Sequence, residues 1–213
     1  MVNLPEGKAS HQLLKQLTQL IGLKRASIIQ YSQPGVDIAA INLQKVIEEI
    51  NEFYGTNSIP YLIYKSDPIT FPTPNPSQYL ITVNKNDLAT SGAYPFAITV
   101  TILLPANSSE KTLLEIQREL DNCASREGIT ILGGHTEITS AVRDLVLSAN
   151  MIGFVPPEFY VGRSINENDR IICSGWVAAE GTGILLSSGM DYFRNLLSEE
   201  EISQAMKIGG SID

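Results

Sequence analysis

The chain has 213 residues, of which 43% are hydrophobic and 18% are charged, and its formal net charge at neutral pH is −8. This acidic balance, without any cluster of basic residues, makes nucleic acids and anionic membrane surfaces poor partners. Every apolar run is shorter than the ~20 residues that a membrane span requires, and the polar first ten residues do not resemble a signal peptide. We therefore expect a cytoplasmic protein with no nucleic-acid and no membrane partner.

The first half of the sequence alternates between helical and extended patterns. Leucines at three- and four-residue spacing predict a helix over 13–21, and a second apolar stripe predicts a helix over 43–53. Residues rich in β-branched side chains predict strands over 26–31 and 60–65. Three prolines within 72–77 predict a loop, because proline fixes the backbone and removes an amide donor.

The next part of the chain contains the clearest strand. After a predicted helix over 79–91, apolar and polar residues alternate over 96–104. Asn107 and Glu110 have the spacing of a capping box, which predicts the start of the next helix. Two further strands are expected, in this order: 129–132, ending at a pair of glycines, and 144–154.

These connections are too mixed for a uniform array of βαβ units. The sequence therefore predicts an α+β fold, in which a mixed sheet carries helices on one face and leaves its other apolar face in need of a partner. Pro156-Pro157 predicts a domain boundary, so the first domain is expected to span 1–156. Residues 157–213 are expected to be the beginning of a second α/β domain whose remainder lies outside this sequence.

The second part has its own predicted elements. An apolar strand is expected over 170–174, followed by the start of a helix at 184–188. A helix over 198–206 is predicted to begin with a capping box formed by Ser198 and Glu201. Cys123 lies in a predicted helix and Cys173 in the predicted strand, which indicates two buried thiols in a reducing compartment rather than a disulfide or a zinc site.

Three aspartates have positions suited to a metal site. Asp37 follows a Pro-Gly turn, Asp67 follows a strand, and Asp87 interrupts the apolar stripe of a helix that also carries Asn84. If they converge, their oxygens form the hard, negative environment that Mg²⁺ prefers. The alternative is that Asp37 caps a helix, Asp67 initiates a turn and Asp87 lies at an exposed helix edge. In a third interpretation, the chain is a ligand-binding α+β domain without catalysis.

Six short motifs, in order, resemble the aminoimidazole ribonucleotide (AIR) synthetase superfamily, which includes the hydrogenase-maturation E protein and thiamine-monophosphate kinase. The motifs are Gly7-Lys8, Gly35-Val36-Asp37-Ile38-Ala39-Ala40-Ile41, Lys65-Ser66-Asp67-Pro68-Ile69-Thr70, Val83-Asn84-Lys85-Asn86-Asp87-Leu88-Ala89, Gly92-Ala93-Tyr94-Pro95 and Gly133-Gly134-His135-Thr136-Glu137. Glu180-Gly181-Thr182 is similar to the start of the family's second domain. The nearest resemblance is to AIR synthase-related proteins of the hydrogenase-maturation type.

This resemblance implies a PurM-like N-terminal domain that binds ATP and Mg²⁺ and pairs its sheet with that of a second copy in a dimeric β-barrel. By analogy, Asp37, Asp67 and Asp87 would be metal ligands. The ATP-binding residues would be Lys8, on a mobile N-terminal segment, with Asn84, Gly133, Gly134 and His135. The family transfers the γ-phosphoryl group of ATP to an oxygen of a small acceptor.

The sequence departs from the family pattern at several points. Val36 stands where many relatives have a second acidic residue, and His135 stands where an acidic residue is common. The helix over 43–53 looks like an insertion. The sequence identifies neither the acceptor nor a role for Glu137. A non-catalytic alternative is a truncated subunit that dimerises, binds nucleotide or assists assembly.

Overall fold

The computed structural model describes residues 3–73 and 75–210, which form seven strands and six α-helices. The strands are β1 (Gly7–Lys8), β2 (Ile28–Gln30), β3 (Ala40–Ile41), β4 (Tyr61–Ile69), β5 (Tyr94–Pro105), β6 (Thr130–Thr139) and β7 (Val146–Val155). The α-helices are α1 (His11–Leu17), α2 (Leu43–Tyr54), α3 (Pro76–Ala89), α4 (Glu110–Arg126), α5 (Ala179–Phe193) and α6 (Glu199–Gly209). A 3₁₀ helix, Pro157–Phe159, follows β7.

Five strands form one mixed sheet in the order β1-β6-β5-β7-β4, and β2 pairs with β3 in a separate two-stranded ribbon. Strands β5 and β6 are parallel, and α4 is the crossover that joins them. The other neighbours, β1–β6, β5–β7 and β4–β7, are antiparallel. The expected mixed α+β sheet is thus confirmed.

The larger hydrophobic core lies between one face of the sheet and the helices α3 and α4. Alternate residues of β5 point into it, and they meet apolar side chains of both helices. The fully buried members include Ile98, Ile102, Leu80, Leu113 and Leu120. From Ile98 to Leu104 the alternation along β5 has the physical origin that the sequence indicated, since successive side chains of a strand point to opposite faces. Phe96 departs from this alternation, because the register of β5 with β7 is irregular between Pro95 and Ala97.

The opposite face of the sheet also carries a helix at one end, so the expectation of helices on one face only is wrong. Val46 and Ile50 of α2 pack in a second cluster with Phe96, Leu132 and Phe154. Ala97 belongs to this cluster and its neighbour Ile98 to the larger core, which places the two clusters on opposite faces of β5. The rest of that face, which we call the outer face, is described below with the candidate site.

Several predicted boundaries are corrected by tertiary pairing. Strand β4 continues through Asp67 and Pro68, because its residues pair in register with β7 up to Ile69. Helix α3 begins at Pro76, inside the predicted proline loop, where proline is tolerated because the first helical amides have no intrahelical partner. Pro74, also in that loop, lies outside the described residues.

The start of α4 is also displaced from the prediction. Its N-cap is Ser109, whose hydroxyl accepts a hydrogen bond from the Thr112 amide, whereas Asn107 adopts a left-handed φ of 68° in the preceding turn. A cap residue needs an extended backbone and a side-chain oxygen near the third helical amide. Ser109 meets both conditions, and Asn107 does not.

The region after Pro156 contains α5 and α6, which pack against each other. The predicted capping box is confirmed: the Glu201 amide donates to the Ser198 hydroxyl, and the Glu201 carboxylate accepts from the Ser198 amide. The predicted strand over 170–174 is not formed; its residues are exposed, and Cys173 is therefore an exposed thiol rather than a buried one. Cys123 is buried, as expected, and burial raises the pKa of its thiol.

No helix within the described ranges is both long enough and apolar enough to cross a membrane.

Candidate functional site

The loop of residues 32–37, which contains Asp37 and the start of the second motif, is held against strand β6. The Ser32 amide donates to the Leu132 carbonyl at 3.1 Å, and the amides of Gln33 and Val36 donate to each other's carbonyls at 3.1 and 2.8 Å. Gly35 turns the chain with a φ of 86°. Asp37 is exposed at the end of this turn. The N-cap of the following helix is Asn42, so the interpretation of Asp37 as a helix cap is wrong.

The glycine motif forms part of strand β6 instead of a loop. Gly133 and Gly134 pair with Thr99 and Val100 of β5, and the strand continues through His135 to Thr139. The expected end of the strand at the glycine pair is therefore wrong. A β-carbon on Gly134 would collide with the backbone of Val100, while one on Gly133 would meet the side chain of Ser32. The close approach of β5 to Gly134 and of Ser32 to Gly133 is thus a structural reason for glycine at both positions.

His135 and Glu137 lie on the outer face of the sheet, where their side chains form a pair. His135 Nε2 is 3.1 Å from Glu137 Oε2, and about 40% of each side chain is exposed. Strand β1 borders this pair, because Lys8 is opposite Glu137 in the antiparallel β1–β6 register. The segment with Lys8 is thus paired with β6 as an edge strand of the sheet.

A cavity of about 300 Å³ lies between α1, the 32–37 loop and strands β5 and β6. Its polar wall includes five predicted site residues that are far apart in sequence: Lys8, Asp37, Gly133, Gly134 and His135. Its apolar wall comes from α1 and the sheet and includes Leu14, Leu17, Val100, Ile102 and Ile131. An apolar wall with a few convergent polar groups is typical of a small-molecule site.

Asp67 and Asp87 form a second group, outside this cavity, around the side chain of Lys65. Lys65 Nζ is 2.5 Å from Asp87 Oδ2 and 3.2 Å from Asp67 Oδ2. Strand β4 places Lys65 and Asp67 two residues apart on the face that meets α3, and α3 supplies Asp87. The hydrogen bond to Asp87 raises the pKa of Lys65, burial opposes this shift, and Asp67 adds to it. The Lys65 side chain is therefore positively charged at neutral pH.

The structure contradicts one expectation for each of these two aspartates. Asp67 lies inside β4, so it does not initiate a turn. Asp87 is exposed at the edge of α3, with 44% of its side chain accessible, so its carboxylate does not interrupt the buried stripe. The exposed helix-edge interpretation of Asp87 is therefore correct, and its charge is balanced by Lys65.

Asn84 is one of the buried residues of α3, and none of its surface is exposed. Its side-chain amide nitrogen donates to the Leu80 carbonyl at 2.8 Å, and its Oδ1 has no hydrogen-bond partner among the described residues. Asn84 does not line the cavity. The structure thus separates Asn84 from the other predicted ATP-binding residues.

Of the eight predicted residues, the structure brings five together at the cavity and two around Lys65, and it leaves Asn84 outside both groups. Within 3–73 and 75–210, no three His, Cys, Asp or Glu side chains lie close enough together to hold a metal ion. Asp37 is thus not part of the Asp67–Asp87 group. The sequence analysis gave no role to Lys65, although its two-residue spacing from Asp67 on a strand was a signal that both side chains share one face.

Residues 68–155 match the family described as AIR synthase related protein, N-terminal domain. This region runs from the end of β4 to the end of β7 and contains Asp87 and the glycine motif. The match confirms the resemblance that the sequence motifs indicated.

The chain is also similar in sequence to several curated proteins. The chain is 29% identical over 134 residues to a hydrogenase expression/formation protein of Methanocaldococcus jannaschii, covering 62% of this chain and 40% of that protein. It is 27% identical over 182 residues to carbamoyl dehydratase HypE of Escherichia coli, covering 84% of this chain and 52% of HypE. A thiamine-monophosphate kinase of Pyrococcus horikoshii is 29% identical over 93 residues, covering 43% of this chain and 29% of the kinase. The chain thus spans about half the length, or less, of these relatives.

Solved structures share the fold. The crystal structure of Escherichia coli HypE aligns with a TM-score of 0.68 and 21% identity, covering 85% of this chain and 54% of HypE. Thiamine-monophosphate kinase from Stenotrophomonas maltophilia aligns with a TM-score of 0.60 and 20% identity, covering 92% of this chain and 57% of the kinase. At these identities the comparison establishes the architecture alone.

Proposed function

We propose that this chain binds ATP with Mg²⁺ and is the nucleotide-binding part of an AIR-synthase-related enzyme that transfers the γ-phosphoryl group to an oxygen of a small acceptor. The observation that carries this proposal is the cavity beside β6. It collects Lys8, Asp37 and the motif from Gly133 to His135, although these residues are separated by as much as 127 positions (135 − 8) in the sequence. Its volume of about 300 Å³ is at the lower end of the range for small-molecule sites.

The related proteins support the use of ATP. One HypE crystal structure that shares the fold is described as a complex with ATP, with a TM-score of 0.51 over 65% of this chain and 42% of that HypE chain. The curated relatives include a kinase and a dehydratase, so they share no single acceptor in their names. We therefore propose the nucleotide and the phosphoryl transfer for this chain, and we leave the acceptor as a small molecule.

We propose that Mg²⁺ binds at the second group, Asp67 and Asp87, which lies outside the lining of the cavity. Asp67 and Asp87 already share one positive group, the Lys65 ammonium, which occupies the place of a cation between them. Mg²⁺ is commonly bound by one or two carboxylates, with water and substrate phosphates completing its coordination. We propose Asp67 and Asp87 as its ligands and Asp37 as a further ligand that requires movement of the 32–37 loop. When bound, the ion neutralises charge on the phosphates.

The residues of the chain have simple roles in this proposal. Lys8 supplies a positive charge at the cavity wall for the phosphates of ATP. The apolar wall excludes water from the adenine base. His135 is oriented by Glu137 at the rim. In this proposal Asn84, which is buried and donates a hydrogen bond to the Leu80 carbonyl within α3, does not contact the nucleotide. Phosphoryl transfer depends mainly on positioning and charge stabilisation, so a protein nucleophile is not required.

Replacing Asp87 by Asn is expected to remove the Mg²⁺-dependent part of nucleotide binding. A ligand at 100 times its Kd stabilises the native state by about 2.7 kcal/mol, which raises Tm by roughly 5–10 °C in a chain of this size. For the unaltered chain we expect this shift with ATP and Mg²⁺ and a smaller one with ATP and EDTA. For Asp87→Asn the two shifts should be equal. Differential scanning fluorimetry measures both.

The control is Asp144→Asn, which removes an exposed carboxylate from the loop between β6 and β7. This variant should keep the full Mg²⁺-dependent shift. An Mg²⁺-dependent shift that survives in Asp87→Asn would remove Asp87 from the metal site. If ATP does not stabilise the unaltered chain under either condition, the proposed function itself is wrong.

We also propose that residues 1–156 and 157–213 are separate structural units and that the first pairs with a second copy through the outer face of its sheet. Leu62 and Tyr64 of β4 are 59% and 64% exposed, and Ile38 beside the motif loop is 60% exposed. Exposed apolar side chains concentrated on one sheet face mark an interaction surface. Pairing of two such faces would form the dimeric barrel that the family resemblance implies.

The variant Leu62→Glu is expected to weaken this pairing, because a buried carboxylate without a partner disfavours association. Sedimentation velocity should show a dimer for the unaltered chain and a shift toward monomer for the variant at the same concentration. The control is Leu185→Glu, an equally exposed leucine on α5, which should stay dimeric. A monomeric unaltered chain at micromolar concentration would contradict the pairing.

A non-catalytic role is the second candidate, in which the chain binds nucleotide and pairs with another subunit without turnover. The observation that favours it is the neutralisation of two of the three proposed metal ligands by Lys65. Measurable ATP hydrolysis by the purified chain, lost in Asp87→Asn, would exclude this role.

A further inference from the structure

The position of Lys65 suggests a role that the proposed metal site does not by itself require. Its ammonium lies between two carboxylates from different elements, Asp67 on β4 and Asp87 on α3, at 3.2 and 2.5 Å. The three side chains are each between 31% and 44% exposed, so the group is open to ions from solvent. Lys65 belongs to the same chain, and the arrangement therefore forms without any added ion.

The two carboxylates repel each other when no cation lies between them, and either one positive group or one metal ion relieves that repulsion. The distances show that the ammonium takes this central place. Mg²⁺ requires its oxygen ligands at about 2.0–2.1 Å. The ammonium contacts Oδ2 of both carboxylates, so a metal ion bound to that same pair of oxygens would have to take its place.

We propose that Lys65 is a built-in counter-cation of the metal site, so that a divalent ion binds Asp67 and Asp87 only by displacing the Lys65 side chain. This inference rests on the proposed function, since it assumes that these two carboxylates bind a metal. The displaced ammonium moves outward along its flexible stem into solvent. Its positive charge then sets the concentration of divalent ion at which the site fills.

The test compares Lys65→Met with Lys85→Met. Methionine keeps the length and the apolar stem of lysine without its charge. Lys85 is a suitable control, because it lies on the same helix as Asp87 and forms an ion pair with Glu127 at 3.0 Å. Mn²⁺ is the probe, and its binding to the purified chain without nucleotide is measured by electron paramagnetic resonance and isothermal titration calorimetry.

We expect Lys65→Met to bind Mn²⁺ about fivefold more tightly than the unaltered chain, as the loss of two partly exposed ion pairs would allow. Lys85→Met should bind Mn²⁺ as the unaltered chain does. Adding Asp87→Asn to Lys65→Met should abolish the gain. In EDTA, the Tm of Lys65→Met should fall, and Mn²⁺ should restore it; Lys65→Gln provides the same comparison if the methionine variant does not fold.

The outcomes separate this inference from the proposed function. If the unaltered chain binds Mn²⁺ and Lys65→Met binds it no more tightly, Lys65 is not a competing cation, although the metal site stands. An equal gain in Lys85→Met would also overturn the inference, because a general change of surface charge would explain it. If neither the unaltered chain nor Lys65→Met binds Mn²⁺, both the inference and the metal part of the proposed function are wrong.

Discussion

Replacing Glu49 by Ala is expected to lower the free energy of unfolding by about 3 kcal/mol, because it leaves the charge of Arg25 buried without a counter-ion. Only 5% of the Arg25 side chain is exposed, and its guanidinium forms an ion pair with Glu49. The same group donates to the Gly128 carbonyl at 2.5 Å and lies 4.4 Å from the ring centre of Phe96. The Glu49 carboxylate is about one third exposed, so we place the loss at the lower end for buried pairs.

The comparison is Glu48→Gln, which changes an exposed neighbour on the same helix. That variant should stay within about 0.5 kcal/mol of the unaltered chain. Urea unfolding followed by circular dichroism gives both values. Equal midpoints for Glu49→Ala and Glu48→Gln would show that the Arg25 charge is satisfied without Glu49. The ion pair joins α2 to Arg25, which also contacts Tyr94 and Phe96 of β5, so its loss should also loosen the second hydrophobic cluster.

Replacing Gly134 by Ala is expected to destabilise the chain by more than about 4 kcal/mol. Gly134 pairs with Val100 in the parallel part of the sheet and has a φ of 154°. The new β-carbon would collide with the backbone carbonyl of Val100, and both backbones are held by neighbouring strands. Neither strand can move without breaking backbone hydrogen bonds to its neighbours. The steric clash therefore cannot be relieved without a large loss of stability.

Gly181→Ala is the matched substitution, because a β-carbon there has no atom within 4 Å and the residue lies in α5. Alanine favours a helix over glycine by up to about 1 kcal/mol, so this variant should be unchanged or slightly more stable. Thermal unfolding measures both. A loss of less than 1 kcal/mol in Gly134→Ala would mean that the strands separate easily at this point, and the glycine would then need a ligand-based explanation.

Local signals in the sequence predicted the elements whose structure depends on near neighbours. The stripe of α2 and its end at Gly55, the alternation of β5 and the capping box of α6 all follow from residues within a few positions of one another. Elements set by distant partners were predicted less well. The end of β6 was placed at the glycines because glycine usually interrupts a strand, whereas pairing with β5, about 35 residues earlier, carries β6 through them. Residues 171 and 172 have the apolar pattern of a strand, but no strand lies beside them in the described part of the chain. Without a partner for their backbone hydrogen bonds, the local pattern does not lead to a strand.

The site shows the same division. The motif resemblance selected Lys8, Asp37 and the glycine motif, and the structure places them around one cavity. It also selected Asn84, whose buried position depends on the packing of α3 and could not be read from spacing alone. Lys65 was part of a motif without a role, because its importance comes from a contact with a helix 22 positions later (87 − 65).

The sheet topology has a consequence for biosynthesis. In the part of the chain that the structure describes, strand β4 pairs with β7 alone, and the two are separated by the whole of α3, β5, α4 and β6. During translation, at about 5–20 residues per second, β4 must therefore wait several seconds for its pairing strand to leave the ribosome. Over that interval the aromatic and aliphatic residues at its beginning, Tyr61, Leu62 and Tyr64, are unpaired on a nascent polypeptide. Chaperones that recognise extended apolar segments would find their target here before the fold is complete.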